Sequence, residues 1–254
     1  MNEISEAQYE LIRLYLPVQR GNVRISNLTM INVVLYIAEN DCKWRALPPR
    51  FGNWRTIYTR LRRWAEAGVL DRLFAALQEH RLIRIRVECL GLDSTSVKVH
   101  PDGTGAPKKE PTQAIGKSRG GWSAKVHLVA ADARTALMFS LSGGQAHDAP
   151  EGRALLRGWK RPLSGVPMLM DRAYEGEETR QLVLDLGFEP VAPPKMNRKE
   201  LREYDRDLYK RRNEVEKLFR RLKGYRRIFS RFEKLDLMFR AFLNFVLIAD
   251  MLKR

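Results

Sequence analysis

Between residues 82 and 254 the apolar pattern changes period repeatedly, and this alternation constrains the fold most. Ile83, Ile85, Val87 and Cys89 alternate with Arg84, Arg86 and Glu88 before Leu90-Gly91-Leu92, which predicts a strand ending at Asp93; Val97 and Val99 extend it. Trp122–Ala131 and Ala136–Ser142 predict two further strands, with Asp132-Ala133-Arg134 as the hairpin turn. Helix 149–159, strand 166–170 ending at Asp171, helix 177–186 and strand 188–192 follow. Two helical patterns close the chain. The order β-β-β-α-β-α-β-α predicts an α/β fold, a mixed sheet flanked by helices, whose first three strands form an antiparallel meander. Ligands of open α/β sheets bind at the downstream strand ends, where Asp93 and Asp171 are expected.

The first 80 residues read differently. Ser5, Ser26 and Asn53 are placed to cap three helices. These carry Leu11, Ile12, Tyr15 and Leu16, then Met30, Val33, Val34 and Ile37, then Ile57, Leu61 and Trp64. Gly68 ends the third, and Val69, Leu73, Phe74 and Leu77 mark a fourth. Arg55, Arg60, Arg62 and Arg63 crowd the polar side of the third helix, which suits a small helix-turn-helix-like DNA-binding domain. The expected division is therefore 1–81, helical and DNA-binding, and 82–254, the α/β domain.

Charge points to a polyanion. The formal net charge is +16, and the segment 195–234 alone carries 16 basic and 7 acidic residues. Residues 101–121 form a glycine- and proline-rich connection with Lys108, Lys109, Lys117 and Arg119. Cys42 and Cys89 lack metal or disulfide spacing, and Cys89 reads as a small buried hydrophobe. No signal peptide is visible at the N-terminus. The apolar stretch 235–252 contains Asp236, Arg240, Asn244 and Asp250, which suits a buried closing helix or a dimer helix rather than a membrane span. A cytoplasmic protein is expected.

The stretch YKRRNEVEKLFRRLK, residues 209–223, has two stripes. Val215, Leu218, Phe219 and Leu222 form an apolar one. Tyr209, Arg212, Glu216 and Lys223 fall within about 60° of one another beside it, and Glu214 points nearly the other way. Such a line also arises as a solvated face laced with ion pairs. Joined by Asp93 and Asp171, however, Glu216 completes a three-carboxylate constellation. Three carboxylates at one place repel, and divalent cations relieve that repulsion. Oxygen-only donors suit Mg²⁺ or Mn²⁺, and a pair of such ions serves phosphodiester displacement. Arg212 and Lys223 suit phosphate contacts, and Tyr209 a phosphate or carboxylate hydrogen bond. A glycosidase would also use paired carboxylates but leaves the basic charge unexplained. His147-Asp148, after Gly143-Gly144, offers a metal or triad pair as a lesser alternative. HExxH, Walker and GxSxG motifs are missing.

The spacing of Tyr209, Arg212, Glu216 and Lys223, Y-(2)-R-(3)-E-(6)-K, resembles the signature of bacterial insertion-sequence transposases of the DDE type. LDST around Asp93 and DRAY from Asp171 look like that family's two aspartate motifs. IGKSRGG, residues 115–121, and GGQAHD, residues 143–148, are similar to its connecting segments; WRALP, residues 44–48, and Trp54–Trp64 resemble its N-terminal region. The likeness spans nearly the whole chain and is nearest the insertion-sequence-five group. It implies that 82–254 is an RNase H-like catalytic domain with a site of Asp93, Asp171 and Glu216. It implies Mg²⁺- or Mn²⁺-dependent cleavage at the element's ends, using two ions, and transfer of the freed 3′-hydroxyl to target DNA. It also implies an N-terminal module on the terminal inverted repeats, and a dimer or higher oligomer on DNA. Some relatives carry a large β insertion between the second aspartate and the glutamate; here 44 residues lie between Asp171 and Glu216. A stand-alone nuclease on the same fold and a decayed, DNA-binding copy are the competing readings.

Overall fold

The structure, a computed structural model, describes residues 3–79, 85–105, 113–160, 163–196 and 202–253. It divides into two compact units, one of residues 1–85, 99–113 and 221–254, the other of residues 86–98 and 114–220.

The first unit is helical at its core. Helices α1 (Glu6–Ile12), α2 (Asn27–Asn40) and α3 (Trp54–Glu66) begin at Ser5, Ser26 and Asn53, whose side chains each accept a backbone N–H. Ser5 and Gln8 form a reciprocal capping box. Gly68, at φ +64°, provides the left-handed residue between α3 and α4 (Val69–Glu79). The inward residues named above for α2, α3 and α4 are all buried. The short α9 (Arg226–Phe229) and the closing helix α10 (Asp236–Leu252) belong to this unit, and α10 packs on α2, α3 and α4. Every residue from Ala241 to Leu252 is buried, so α10 is enclosed on all sides. Asn244 Nδ2 and Arg240 bind Asp71, and Asp250 binds Arg221. No helix among the described residues is long and apolar enough to cross a membrane.

The second unit is built on the sheet. Strand β1 (Leu90–Val99) pairs antiparallel with β3 (Gly121–Ala130), and β3 pairs antiparallel with both β2 (Gly116–Ser118) and β4 (Ala136–Gly143). On its other side β1 runs parallel to β5 (Pro167–Met170), which runs parallel to β6 (Glu189–Val191). The order β4-β3-β1-β5-β6, three antiparallel then two parallel, is the mixed, RNase H-like arrangement expected from the sequence. Helix α5 (Asp148–Arg157) lies on β3 and β4 and packs against α6 (Glu177–Asp185). The short α7 (Arg206–Tyr209) and one tight turn at Lys210–Arg212 lead into α8 (Asn213–Gly224), so the expected single helix starts with a tightened turn.

The first helix stops at Ile12 with Leu11 exposed, a 3₁₀ turn at Arg13–Tyr15 leading to the buried Leu16, and the start of β1 also differs from expectation. β1 begins at Leu90 rather than near residue 83, and residues 80–84 lie outside the described residues. Asp93 therefore sits within the strand rather than at its end. The reason is that β1 changes partners: its pairing with β5 stops at Leu92↔Met170, whereas pairing with β3 continues to Lys98. Lys108 and Lys109 also lie outside the described residues.

Candidate active site

The parallel register sets the first relationship. Leu92 pairs with Met170, so the next residues, Asp93 and Asp171, stand on neighbouring strands at the same level. Asp171 leaves its strand at once: its carboxylate accepts the Ala173 N–H at 2.7 Å and starts a short 3₁₀ turn.

A missing side chain sets the second. Gly91 and Asp93 share one face of β1, because side chains alternate. A Cβ on Gly91 would lie 3.1 Å from Cβ of Val215. The glycine thus lets α8 settle close onto β1, and Arg212 and Glu216, flanking Val215, come down beside Asp93. Arg212 Nη1 donates to Asp93 Oδ2 at 2.6 Å, and Arg212 Nη2 donates to Glu216. The guanidinium also lies 5.8 Å from the Tyr209 ring centre. Tyr209 stacks edge-on with Tyr204 and packs, with Leu208, on Cys89, Leu169 and Val191. Glu214 is turned away, accepting from the Ala133 N–H and from Lys217.

The electrostatics follow from crowding. Burial pushes the Asp93 carboxyl up to about 6. The Ser94 N–H and Arg212 oppose that rise, and the neighbouring carboxylates of Asp171 and Glu216 add to it. Burial also lowers Lys223, one helical line further along α8. Among the described residues no group of three or more His, Cys, Asp or Glu side chains stands close enough to hold a metal ion. Instead the Arg212 cation stands between Asp93 and Glu216. Carboxylate oxygens are the donors that hard divalent cations take, and a positive charge already stands between two of them here.

On the opposite face of β1 lies a network that the sequence reading did not isolate. Ser94 Oγ donates to Asp148 Oδ1 at 2.7 Å, and Lys125 Nζ reaches the same oxygen at 2.9 Å and the Ala146 carbonyl at 2.8 Å. Ser94 and Lys125 together hold the Asp148 carboxyl below its usual range, against the effect of burial. Of the pair His147-Asp148, the aspartate is the one engaged here. His127, on the same face, binds Ser142, and burial lowers its imidazole to about 4. The serine directly after Asp93 was the available clue.

The N-terminal arginines divide into two groups. Arg60 donates to the Ile25 carbonyl and to Asn27, pinning the segment before α2 to α3. Arg62 pairs with Glu66. Arg55 and Arg63 are exposed and line a groove of about 750 Å³ with Arg20, Arg60 and Trp64.

Comparison with known proteins bears on this geometry. Residues 88–249 match the family model described as "Transposase DDE domain", and residues 4–74 match "Putative transposase of IS4/5 family (DUF4096)". A protein of Brucella ovis, "Putative transposase for insertion sequence element IS6501", is 33% identical over 128 residues, covering 49% of this chain and 92% of that protein. The uncharacterized protein y4sN of Sinorhizobium fredii is 35% identical over 107 residues, covering 41% of this chain and 82% of that protein. A piggyBac transposase synaptic complex with hairpin DNA superposes at a TM-score of 0.39 and 11% identity, covering 77% of this chain and 48% of that chain. That likeness is too loose to add weight, and the strand order carries the fold. With its matched DDE domain spanning well over half the sequence, the chain belongs to the DDE transposases of insertion sequences.

Proposed function

We propose that this chain cuts DNA at the ends of its insertion sequence and joins the freed 3′-hydroxyl to target DNA. The observation that supports this most directly is Arg212 joining Asp93 to Glu216 at the strand level where Asp171 follows Met170, produced by one strand register and one glycine. Those three carboxylates would hold two divalent cations, Mg²⁺ or Mn²⁺. When bound, such ions would activate the attacking hydroxyl and neutralise the leaving oxygen.

The chain's own side chains do the rest. Arg212 offsets the charge of Asp93 and Glu216 and lies where a scissile phosphate needs a cation. Tyr209 supports the guanidinium through its ring face. Lys223 extends the cationic line along α8 toward neighbouring phosphates. We assign residues 1–81 to binding of the terminal inverted repeats, with Arg55 and Arg63 as contacts, and 82–254 to catalysis; family models beginning at residues 4 and 88 support that division. The working form is a dimer or higher oligomer on DNA, in the cytoplasm at the nucleoid.

The test is cleavage of a labelled duplex carrying the element's own ends, with Mg²⁺, by wild type and Glu216→Gln. Wild type should leave a 3′-hydroxyl at the end, and the variant should bind but not cut. Equal cutting by both would overturn the assignment of Glu216. A folded, end-binding wild type that never cuts would point to a decayed copy.

A further inference from the structure

Two segments singled out in the sequence, IGKSRGG and GGQAHD, have no part in the carboxylate site. In the structure they interlock. β2 and the start of β3 form a hairpin in which Lys117 pairs directly with Trp122 and Ser118 with Gly121. Directly paired residues share a face, so a cation and an indole stand side by side. Trp122 is 52% exposed, and Lys117 and Arg119 are exposed beside it. An indole flanked by two exposed cations matches the chemistry of a polyanion that also carries apolar surface, as a nucleic acid does.

The hairpin is braced. Ser118 Oγ donates to the Gly121 carbonyl and Ser123 Oγ to Ser118 Oγ, each at 3.0 Å. Gly144 N–H donates to the Ser123 carbonyl at 3.0 Å. A Cβ on Gly144 would meet Ser123 Oγ at 1.9 Å and the Ser123 carbonyl oxygen at 3.0 Å. At Gly116 the same atom would overlap the Gln145 amide. The glycines of both motifs are thus the surfaces on which the two segments close.

The register locates the hairpin relative to the site. Asp93 pairs with Leu128, and Trp122 has the same parity as Leu128, so Trp122 and Asp93 face the same side. The six-residue separation corresponds to about 20 Å of strand, or about six base pairs of duplex. Val97, Ala124 and Val126, between them, are buried, so a ligand would meet the protein at the two ends of that stretch.

We propose that the β2–β3 hairpin is a second contact on the duplex that carries the cleaved phosphate, about six base pairs from the cut. Lys117 and Arg119 take phosphates, and Trp122 makes an apolar contact with a sugar, a thymine methyl or a base step. The proposal rests on the transposase reading for its choice of DNA.

The test compares full-length wild type, Lys117→Gln/Arg119→Gln, Trp122→Ala and Gly144→Ala, each checked for folding by thermal melting. Probes are a labelled duplex of the element's end and a scrambled duplex, with affinity measured across a salt series and contacts mapped by hydroxyl-radical protection. The double variant should reduce the salt slope by about two. Trp122→Ala should weaken end binding roughly fivefold or more with an unchanged slope. Protection about six base pairs from the nick should disappear in both. Gly144→Ala should reproduce the footprint loss with every exposed side chain intact. Unchanged affinity, slope and footprint would overturn the proposal. Cleavage is followed on the same preparations. Cutting by wild type with unaltered hairpin variants sinks the hairpin alone, and end binding that depends on the hairpin without any cutting sinks the proposed cleavage activity alone and points to a decayed copy.

Discussion

Arg212 Nη1 lies 2.6 Å from Asp93 Oδ2, joining residues 119 positions apart in the chain. The pair ties the tight turn before α8 to β1 at the level where Asp171 leaves the sheet. Arg212→Ala should strip the buried Asp93 of its cation, costing about 1–3 kcal/mol by chemical denaturation. Arg212→Lys keeps the charge but not the fork that spans Asp93 and Glu216. It should fold near normally and cut at least about tenfold more slowly. Wild-type cutting by Arg212→Lys would show that a point charge suffices.

Gly91 should be intolerant of a side chain. With Val215 Cβ at 3.1 Å, Gly91→Ala must lift α8 or push Val215 aside, at a cost of about 1–3 kcal/mol. Cleavage should fall further than stability does, because Arg212 and Glu216 move with the helix. Val215→Ala in the same chain should recover part of both losses. A double variant that is strictly additive would mean that the two residues do not oppose each other.

Asp148 holds Ser94 and Lys125 on the far face of the strand that carries Asp93. Asp148→Asn leaves Lys125 without its carboxylate and should cost about 1–3 kcal/mol. Cutting should fall while DNA affinity holds. Equal cutting rates would confine the network to stability.

His127 supplies a pH dependence. Its folded value of about 4 lies below its ordinary 6.5, so burial keeps the ring neutral. The stabilisation is whole above pH 6.5, where the unfolded ring is also neutral, and is lost as pH falls toward 4. The loss amounts to at most about 3 kcal/mol. Urea midpoints of wild type and His127→Gln should converge across that window. A constant difference between them would remove His127 as the cause.

Among the N-terminal arginines, support and contact should separate. Arg60→Ala should lower the melting temperature, since its guanidinium holds Ile25 and Asn27. Arg55→Ala and Arg63→Ala should leave melting unchanged and weaken DNA binding, with each lowering the salt slope by about one. A melting loss at Arg63 and none at Arg60 would reverse that division.

Much of this fold was legible because local rules suffice for it. Ser5, Ser26 and Asn53 announce their helices by chemistry that acts within three residues. The period-2 and period-3.6 runs gave the alternation of strands and helices, and the spacing from Tyr209 to Lys223 gave the line of groups on α8. What stayed hidden depends on register. Asp93 read as a strand end because no local signal says that β1 keeps one partner after losing another. Gly91 read as part of an apolar run, although its use is to admit Val215 from 124 residues away. Arg60 carries the same charge as Arg63, and only the neighbouring carbonyl of Ile25 distinguishes them.

Helix α10 also governs how the molecule is made. It encloses helices that the ribosome delivers long before it, since it packs on α2, α3 and α4. Those helices must wait, with apolar surface in water or against a chaperone, until residues 236–252 have emerged. A nonsense codon before residue 236 would therefore release a product that lacks the wall of its own N-terminal core. Such a product would be cleared by proteolysis rather than persist as a shortened DNA-binding protein.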